Sequence, residues 1–236
     1  MINFSSEVGV EPTQIFANRL LEPFSREAQR LVLEGATPAQ VDLVCCDLGL
    51  AMGILALHDL AGLDGGYSVR EARREAIAHD PSYCRIADEL QALGRCGHKS
   101  GRGFYLYEGH ERKDDYEVIA LAELLAGELQ IRRRPISRQE IHDRCLLVLI
   151  NEGLQMLDDG GAWRADDIDQ LWREVCGSST RLGGPMHLAD SRGLGWVLGG
   201  ILQYRDELGE YGRMWFRPAL LLERLVASGN TGIEKI

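Results

Sequence analysis

Apolar residues in the first part of the chain recur at helical rather than strand spacing. From Phe16 to Glu34, the positions Leu20, Leu21, Phe24, Ala28, Leu31 and Val32 make one stripe, which predicts a long amphipathic helix. Shifted by 125 residues, the stripe returns as Cys145, Leu146, Leu149, Gly153, Met156 and Leu157. The same shift places Arg19 on Arg144, Glu27 on Glu152 and Gly35 on Gly160. Each of these glycines is placed to end its helix, where left-handed backbone costs least. Thr37-Pro38-Ala39-Gln40 then opens a second helix with an N-cap, a first-position proline and a capping-box glutamine. Ser137-Arg138-Gln139-Glu140 supplies a capping box for the long helix of the second copy. After a two-residue insertion Val41-Asp42 corresponds to Ile168-Asp169, and further on Asp59 and Gly62 match Asp190 and Gly193. The pattern is a duplicated helical unit.

Between the copies lies a glycine-rich stretch, Gly94 to Tyr107, followed by Glu108–Asp115, which is polar and reads as a surface linker. Helical periodicity resumes at Val118, Ile119, Leu121, Ala122 and Leu125, until Pro135 breaks it. No segment sustains period-2 alternation or the Val/Ile-rich runs of a parallel sheet, so the expected fold is all-α. The expected division is an N-terminal segment 1–15, a first helical domain 16–107 and a linker with a helix, 108–136. A second helical domain, 137–229, and a tail, 230–236, complete it. Each copy carries an apolar stripe too broad to leave in water, and duplicated faces can bury each other around an approximate two-fold axis. Gly101 and Gly103 are expected to form a turn or positive-φ segment that packs Phe104 and Tyr105 onto the first copy.

Composition narrows the function more than the fold. The 236 residues are 45% hydrophobic and 26% charged, which is ordinary for a globular protein able to bury a sizeable core. A net charge of −10 argues against sequence-independent binding of nucleic acid. No apolar run reaches the roughly 20 residues that span a bilayer, and the N-terminus has no secretory pattern. Arg132-Arg133-Arg134 is the dense basic cluster; it reads either as a solvated linker face or as a phosphate or CoA contact. The six cysteines (45, 46, 84, 96, 145 and 176) form no CxxC pair and share no metal-ligand spacing with histidine. No metal site is therefore expected, and the thiols fit a reducing, cytoplasmic setting with several of them in the core.

A search for chemistry returns little. Gly101-Arg102-Gly103 is the tempting G-x-G, but Leu106 stands where a third glycine belongs and no apolar strand precedes it. The histidines (58, 79, 98, 110, 142 and 187) read as surface or satisfied polar residues. Asp158-Asp159 and Asp166-Asp167 read as helix-end or loop carboxylates.

Ordered motifs nevertheless carry a family resemblance. Phe16-Ala17-Asn18-Arg19-Leu20-Leu21-Glu22-Pro23-Phe24, Leu33-Glu34-Gly35 and Val41-Asp42 open it, and Gly49-Leu50-Ala51-Met52-Gly53 and Asp59-Leu60-Ala61-Gly62-Leu63-Asp64 continue it. Lys99-Ser100-Gly101 and Gly103-Phe104-Tyr105 close the first copy. Arg144-Cys145-Leu146, Asn151-Glu152-Gly153, Gly183-Gly184-Pro185-Met186 and Arg217-Pro218-Ala219 follow in the second. Together, over about residues 8–229, these resemble two tandem C-terminal domains of the 3-hydroxyacyl-CoA dehydrogenases, as in the multifunctional hydratase–dehydrogenases. The resemblance implies two such domains related by a pseudo-two-fold axis.

It also implies chemistry, that of NAD-dependent hydride transfer at C3 of a 3-hydroxyacyl-CoA in fatty-acid β-oxidation. The His–Glu acid/base pair and the NAD would belong to a dinucleotide-binding domain that this sequence does not contain, so the isolated chain is expected to be inactive. An Asn from the first helix of the substrate domain corresponds to Asn18, whose amide would orient the reacting oxygen; the competing role is a helix cap. The second copy has Asp143 there. Lys99 would reach the CoA phosphates or make an exposed salt bridge. Met52-Gly53-Ile54-Leu55 replaces the usual Met-Gly-Pro-Phe, a change expected at the acyl pocket wall. The implied partners are an acyl-CoA, a dinucleotide-binding domain or subunit, and a second copy in a homo-oligomer. A stand-alone, non-catalytic helical module is the alternative.

Overall fold

The computed structural model describes residues 12–72, 75, 80, 83–109, 111–159, 164–176 and 183–233. Met1 to Glu11, His79, His110 and Gly160 lie outside them, and with them the glycine expected to end the second long helix. The described residues are mostly helical, in two tandem units, as the repeat predicts. In the first unit α1 (Pro12–Glu34), α2 (Pro38–Asp47), α3 (Ile54–Ala61), α4 (Leu63–Ala72) and α5 (Ile86–Ala92) lead to a 3-10 turn (His98–Ser100). A short antiparallel hairpin follows, β1 (Leu106–Glu108) with β2 (Glu111–Lys113), paired Leu106 to Lys113. It joins the end of the glycine-rich stretch to the start of the segment that reads as a linker, with Lys113 Nζ on Glu108 at 2.5 Å. Connecting helix α6 (Tyr116–Glu128) precedes the second unit: α7 (Arg138–Asp158), α8 (Ala165–Cys176), α9 (Pro185–Arg192), α10 (Leu194–Glu207), α11 (Gly209–Trp215) and α12 (Leu220–Ala227).

The two long helices form the centre. Leu20, Leu21, Phe24, Ala28, Leu31 and Val32 of α1 are all buried, as are Cys145, Leu146, Leu149, Gly153 and Met156 of α7, with Leu157 half-buried. α1 and α7 pack on each other across the repeat, and Phe24 meets Trp172 of α8 edge-on at 5.6 Å. The repeat-equivalent ion pairs are exchanged between the units. Arg19 Nε donates to Glu152 Oε1 at 2.6 Å, and Arg144 Nε to Glu27 Oε1 at 2.6 Å. An arginine and a glutamate that recur eight positions apart on each helix thus bond to the opposite copy, as in an isologous two-fold contact. Arg144 also holds Glu34 and Glu140, and Tyr211 donates to the other oxygen of Glu27. Burial alone would lower the Arg144 pKa, but Glu27 and Glu34 push it well above its ordinary value.

Local signals hold as read. Thr37 and Gln40 make both arms of a capping box, while Ser137 accepts from the Glu140 amide and the Glu140 carboxylate turns instead to Arg134 and Arg144. Pro23 sits inside α1 and leaves the Arg19 carbonyl without its helical donor. The arginine cluster lies on the linker with Arg132 and Arg134 exposed, as the solvated-face reading has it, but it also caps a helix. Arg133 Nη1 donates to the Val32 and Leu33 carbonyls, Arg134 N to the Glu34 carbonyl, and the Arg134 side chain pairs with Glu140. Together they close the C-terminus of α1, where carbonyls lack partners and cations are favoured. Thr231 to Ile233, in the tail, are tied back to the second unit by Leu194 N to Thr231 O and by Ile233 N to Asp190.

Candidate functional site

Buried aspartates organise the first unit around its glycine-rich turn. Asp42, on α2, accepts the Leu55 and Ala56 amides at the start of α3, at 2.9 and 3.0 Å, and the Tyr105 hydroxyl at 2.7 Å. Its repeat partner Asp169 accepts the Met186 and His187 amides at the start of α9. In each case a glycine, Gly53 or Gly184, lies where a Cβ would strike the carboxylate. Asp59 does for the turn what Asp42 does for α3, accepting the Phe104 and Tyr105 amides at 2.9 and 3.0 Å and the Tyr107 hydroxyl at 3.0 Å. Gly101 is left-handed (φ 74°) and Phe104 and Tyr105 are buried, as the sequence predicts. Gly103 is needed for a different reason: its α-carbon rests on the Asp59 carboxylate with no room for a side chain. Arg95, also buried, closes the turn through the Gly103 carbonyl at 3.0 Å and through Asp115 and Glu117.

Burial pushes the Asp59 carboxyl up to about 6, against the three donors that favour its charged form. Because the folded protein holds this proton more tightly than the unfolded chain, the contribution to stability is fully present below the ordinary Asp range. It is lost as pH rises through about 6, by at most about 3 kcal/mol for this group. We expect the Asp59 side-chain carboxyl carbon to titrate in NMR with a midpoint near 6; a midpoint in the ordinary Asp range would contradict this environment.

The sequence-predicted site residues sit around this scaffold. Asn18 is half-buried in the second turn of α1, inside the helix, so it is not an N-cap. Lys99, on the 3-10 turn, is exposed and pairs with both Asp64 oxygens at 2.5 and 2.6 Å. α3 packs against both α1 and the 3-10 turn, and so links the elements that carry these two residues. Ile54 and Leu55 are fully buried, so the departure at 52–55 faces the core rather than an open pocket wall, and Met52 alone is exposed. In the second unit Asp143, at the position of Asn18, accepts from Gln139 at 2.8 Å and lies 3.0 Å from His142 Nδ1. Sequence reading missed one pair. Ser25 Oγ, one face along α1 from Asn18, lies 2.7 Å from His58 Nε2 on α3, and the His58 ring is 6.4 Å from Phe104. The legible part was His58, a polar residue on a helix face otherwise made of Ile54, Leu55 and Ala61.

These residues do not suit a dinucleotide. The one sheet among the described residues is the two-stranded hairpin, and the close backbone approach at Gly103 is filled by a carboxylate, which would repel a pyrophosphate.

Comparison with known proteins gives a consistent result. Residues 15–107 and 141–235 each match the family model described as 3-hydroxyacyl-CoA dehydrogenase, C-terminal domain. The peroxisomal bifunctional enzyme of Danio rerio is 37% identical over 232 residues, covering 92% of this chain and 32% of that protein. Its Homo sapiens counterpart is 32% identical over the same shares. The fatty acid oxidation complex subunit alpha of a Vibrio cholerae strain is 30% identical over 196 residues, 83% of this chain and 27% of that protein. The chain spans about a third of the length of these relatives. Among solved structures, the dehydrogenase part of multifunctional enzyme 1 from C. elegans aligns with a TM-score of 0.64 at 22% identity, over 89% of this chain and 47% of that one. The 3-hydroxybutyryl-CoA dehydrogenase of Escherichia coli K12 aligns at 0.66 and 21%, over 90% and 60%. At these identities the structural likeness speaks for the fold.

Proposed function

The chain belongs to the 3-hydroxyacyl-CoA dehydrogenase family of fatty acid oxidation, through two copies of its C-terminal domain, and from that premise we propose that it is the substrate-binding and dimerisation portion of such an enzyme. The units 16–107 and 137–229 are its two working parts, with 108–136 linking them. The hydride acceptor, NAD, and the His–Glu pair that moves the proton are supplied by a dinucleotide-binding domain, either in a longer chain or in a separate subunit. The chain's own contribution is to hold the acyl-CoA and orient the oxygen on C3. Asn18 carries this role: an amide donates and accepts without changing charge, so it follows an oxygen whose bonding alters in the reaction. One observation supports assigning the role to the first unit alone. At the matching place the second unit carries Asp143, a carboxylate that accepts but cannot donate, bonded to Gln139 and beside His142. Lys99 is held by Asp64 and adds a mobile positive charge for the CoA phosphates where that pair opens. No helix among the described residues is long and apolar enough to cross a membrane. A cytoplasmic setting, supported by the cysteine pattern, and pairing as a homo-oligomer remain part of the proposal.

The test is NADH consumption with a 3-ketoacyl-CoA, for the chain alone and with a matching dinucleotide-binding domain added. The chain alone is expected to be inactive and the mixture active, because hydride transfer requires a cofactor and a base within reach of C3. In the active mixture Asn18→Ala should lower kcat/KM by roughly 10- to 100-fold, through a lost transition-state hydrogen bond. Turnover by the chain alone would overturn the reading. No gain on complementation would favour a non-catalytic, acyl-CoA-binding or interaction module.

A further inference from the structure

The geometry points to Ser25 and His58 as a polar contact for the bound acyl thioester, placed to hydrogen-bond an amide or hydroxyl of the substrate about 10 Å from its reacting carbon. This rests on Asn18 marking the reacting end. Ser25 follows Asn18 by seven residues, two helical turns, so both lie on one face of α1 and are separated by about 10 Å along its axis. Glu22 also lies near this line, but it is exposed and turned to Arg26. Ser25 is half-buried, and its hydroxyl lies 2.7 Å from His58 Nε2, with the imidazole packed beside the buried Phe104 ring. Whichever of the two donates, a hydroxyl has three hydrogen-bonding positions and this pair uses one. The result is an oriented polar group beside an apolar side chain, on the same helix face as the Asn18 amide.

Two parts of an acyl thioester can bring a partner to this distance. The first amide of the pantetheine arm is about six single bonds from the keto carbon, a comparable span. A polar substituent on the acyl chain could reach as far in the other direction. The shared chemistry is a neutral donor–acceptor group, and the direction in which the thioester lies decides which one is read.

The test uses the full chain with 15N-labelled histidine and three acetoacetyl-type probes. They are the N-acetylcysteamine thioester, the S-butyl thioester, and an S-butyl thioester whose acyl chain ends in a hydroxyl. If the pair reads the pantetheine amide, the His58 ring resonances shift with the N-acetylcysteamine thioester alone; if it reads the acyl chain, they shift with the hydroxylated probe alone. In either case Ser25→Ala should weaken that probe by about 3- to 10-fold and leave the plain S-butyl thioester unchanged. His58→Gln, which keeps a side-chain hydrogen-bonding group, should restore more of the affinity than His58→Leu. Equal effects of Ser25→Ala on all three probes, or binding with no His58 shift, would overturn the inference while leaving the role of Asn18 intact. Failure of every probe to bind at millimolar concentration would overturn both. Unchanged far-UV circular dichroism of each variant excludes unfolding as the cause.

Discussion

Replacing Arg144 by methionine is expected to destabilise the protein by about 3–5 kcal/mol, whereas Arg19→Met should cost no more than about 1 kcal/mol. The two arginines occupy equivalent places in the repeat and make the same 2.6 Å bond to equivalent glutamates. They differ in solvent: the Arg144 side chain is 0% exposed and that of Arg19 34%. Removing Arg144 leaves Glu27 in the core without its counter-charge and Glu34 with Arg30 alone, and it leaves Tyr211 bonded to a carboxylate that has lost its cation. Removing Arg19 frees Asp159 at an exposed edge and the half-buried Glu152 beside it. Urea unfolding of both variants at pH 7 measures the difference. Although burial pushes the other way, Arg144 holds the Glu34 carboxyl below its ordinary value. The stability contributed by that contact is therefore present above the ordinary Glu range and lost as pH falls through and below it. The gap between the variants should narrow in acid. Equal costs at pH 7 would mean that the buried pair is hydrated in solution.

Gly103→Ala is the second large effect, expected at about 3 kcal/mol or more. The new methyl would overlap the Asp59 carboxylate, which is held by the Phe104 and Tyr105 amides and the Tyr107 hydroxyl. Either the turn moves away or the carboxylate does, and in both cases buried donors lose their acceptor. Gly127→Ala is the matched control. It sits inside α6 with nothing within 4 Å of an added Cβ, so alanine should be neutral or stabilise by up to about 1 kcal/mol. Thermal unfolding of the pair, followed at 222 nm, separates a clash from a general intolerance of substitution. A mild Gly103→Ala would show that the turn is looser than its hydrogen bonds imply.

The contrast between these sites shows what could be read from residues alone. The stripes, the capping residues and the correspondence of Arg19 with Arg144 and Glu27 with Glu152 are all visible, because helical period and repeat spacing are local or one-dimensional properties. Which glutamate each arginine takes is not. Arg19 and Glu27 share one helix, and nothing in their spacing says that the bond crosses to the other copy. Arg133 escaped for a related reason: a run of arginines before a proline looks solvated until the α1 carbonyls are seen to end beside it. Asp59 was legible as a repeated position but not as the acceptor for a loop 45 residues away. Of the candidate site, Asn18 is proposed from its motif, while Ser25 and His58 are joined only by the packing of α3 on α1.

The pairing of α1 with α7 also sets a schedule for synthesis. About 120 residues separate the end of α1 from the end of α7. At 5–20 residues per second, the α1 stripe waits roughly 6–24 s on the ribosome before its partner helix is complete. During that interval α2, α3 and α5 of the first unit and the connecting α6 can pack on α1, but the part of its apolar face that α7 covers has no partner yet. The nascent chain's safe passage depends on whatever shields hydrophobic helices at the tunnel exit, and two first units from neighbouring ribosomes could pair in place of the tandem one.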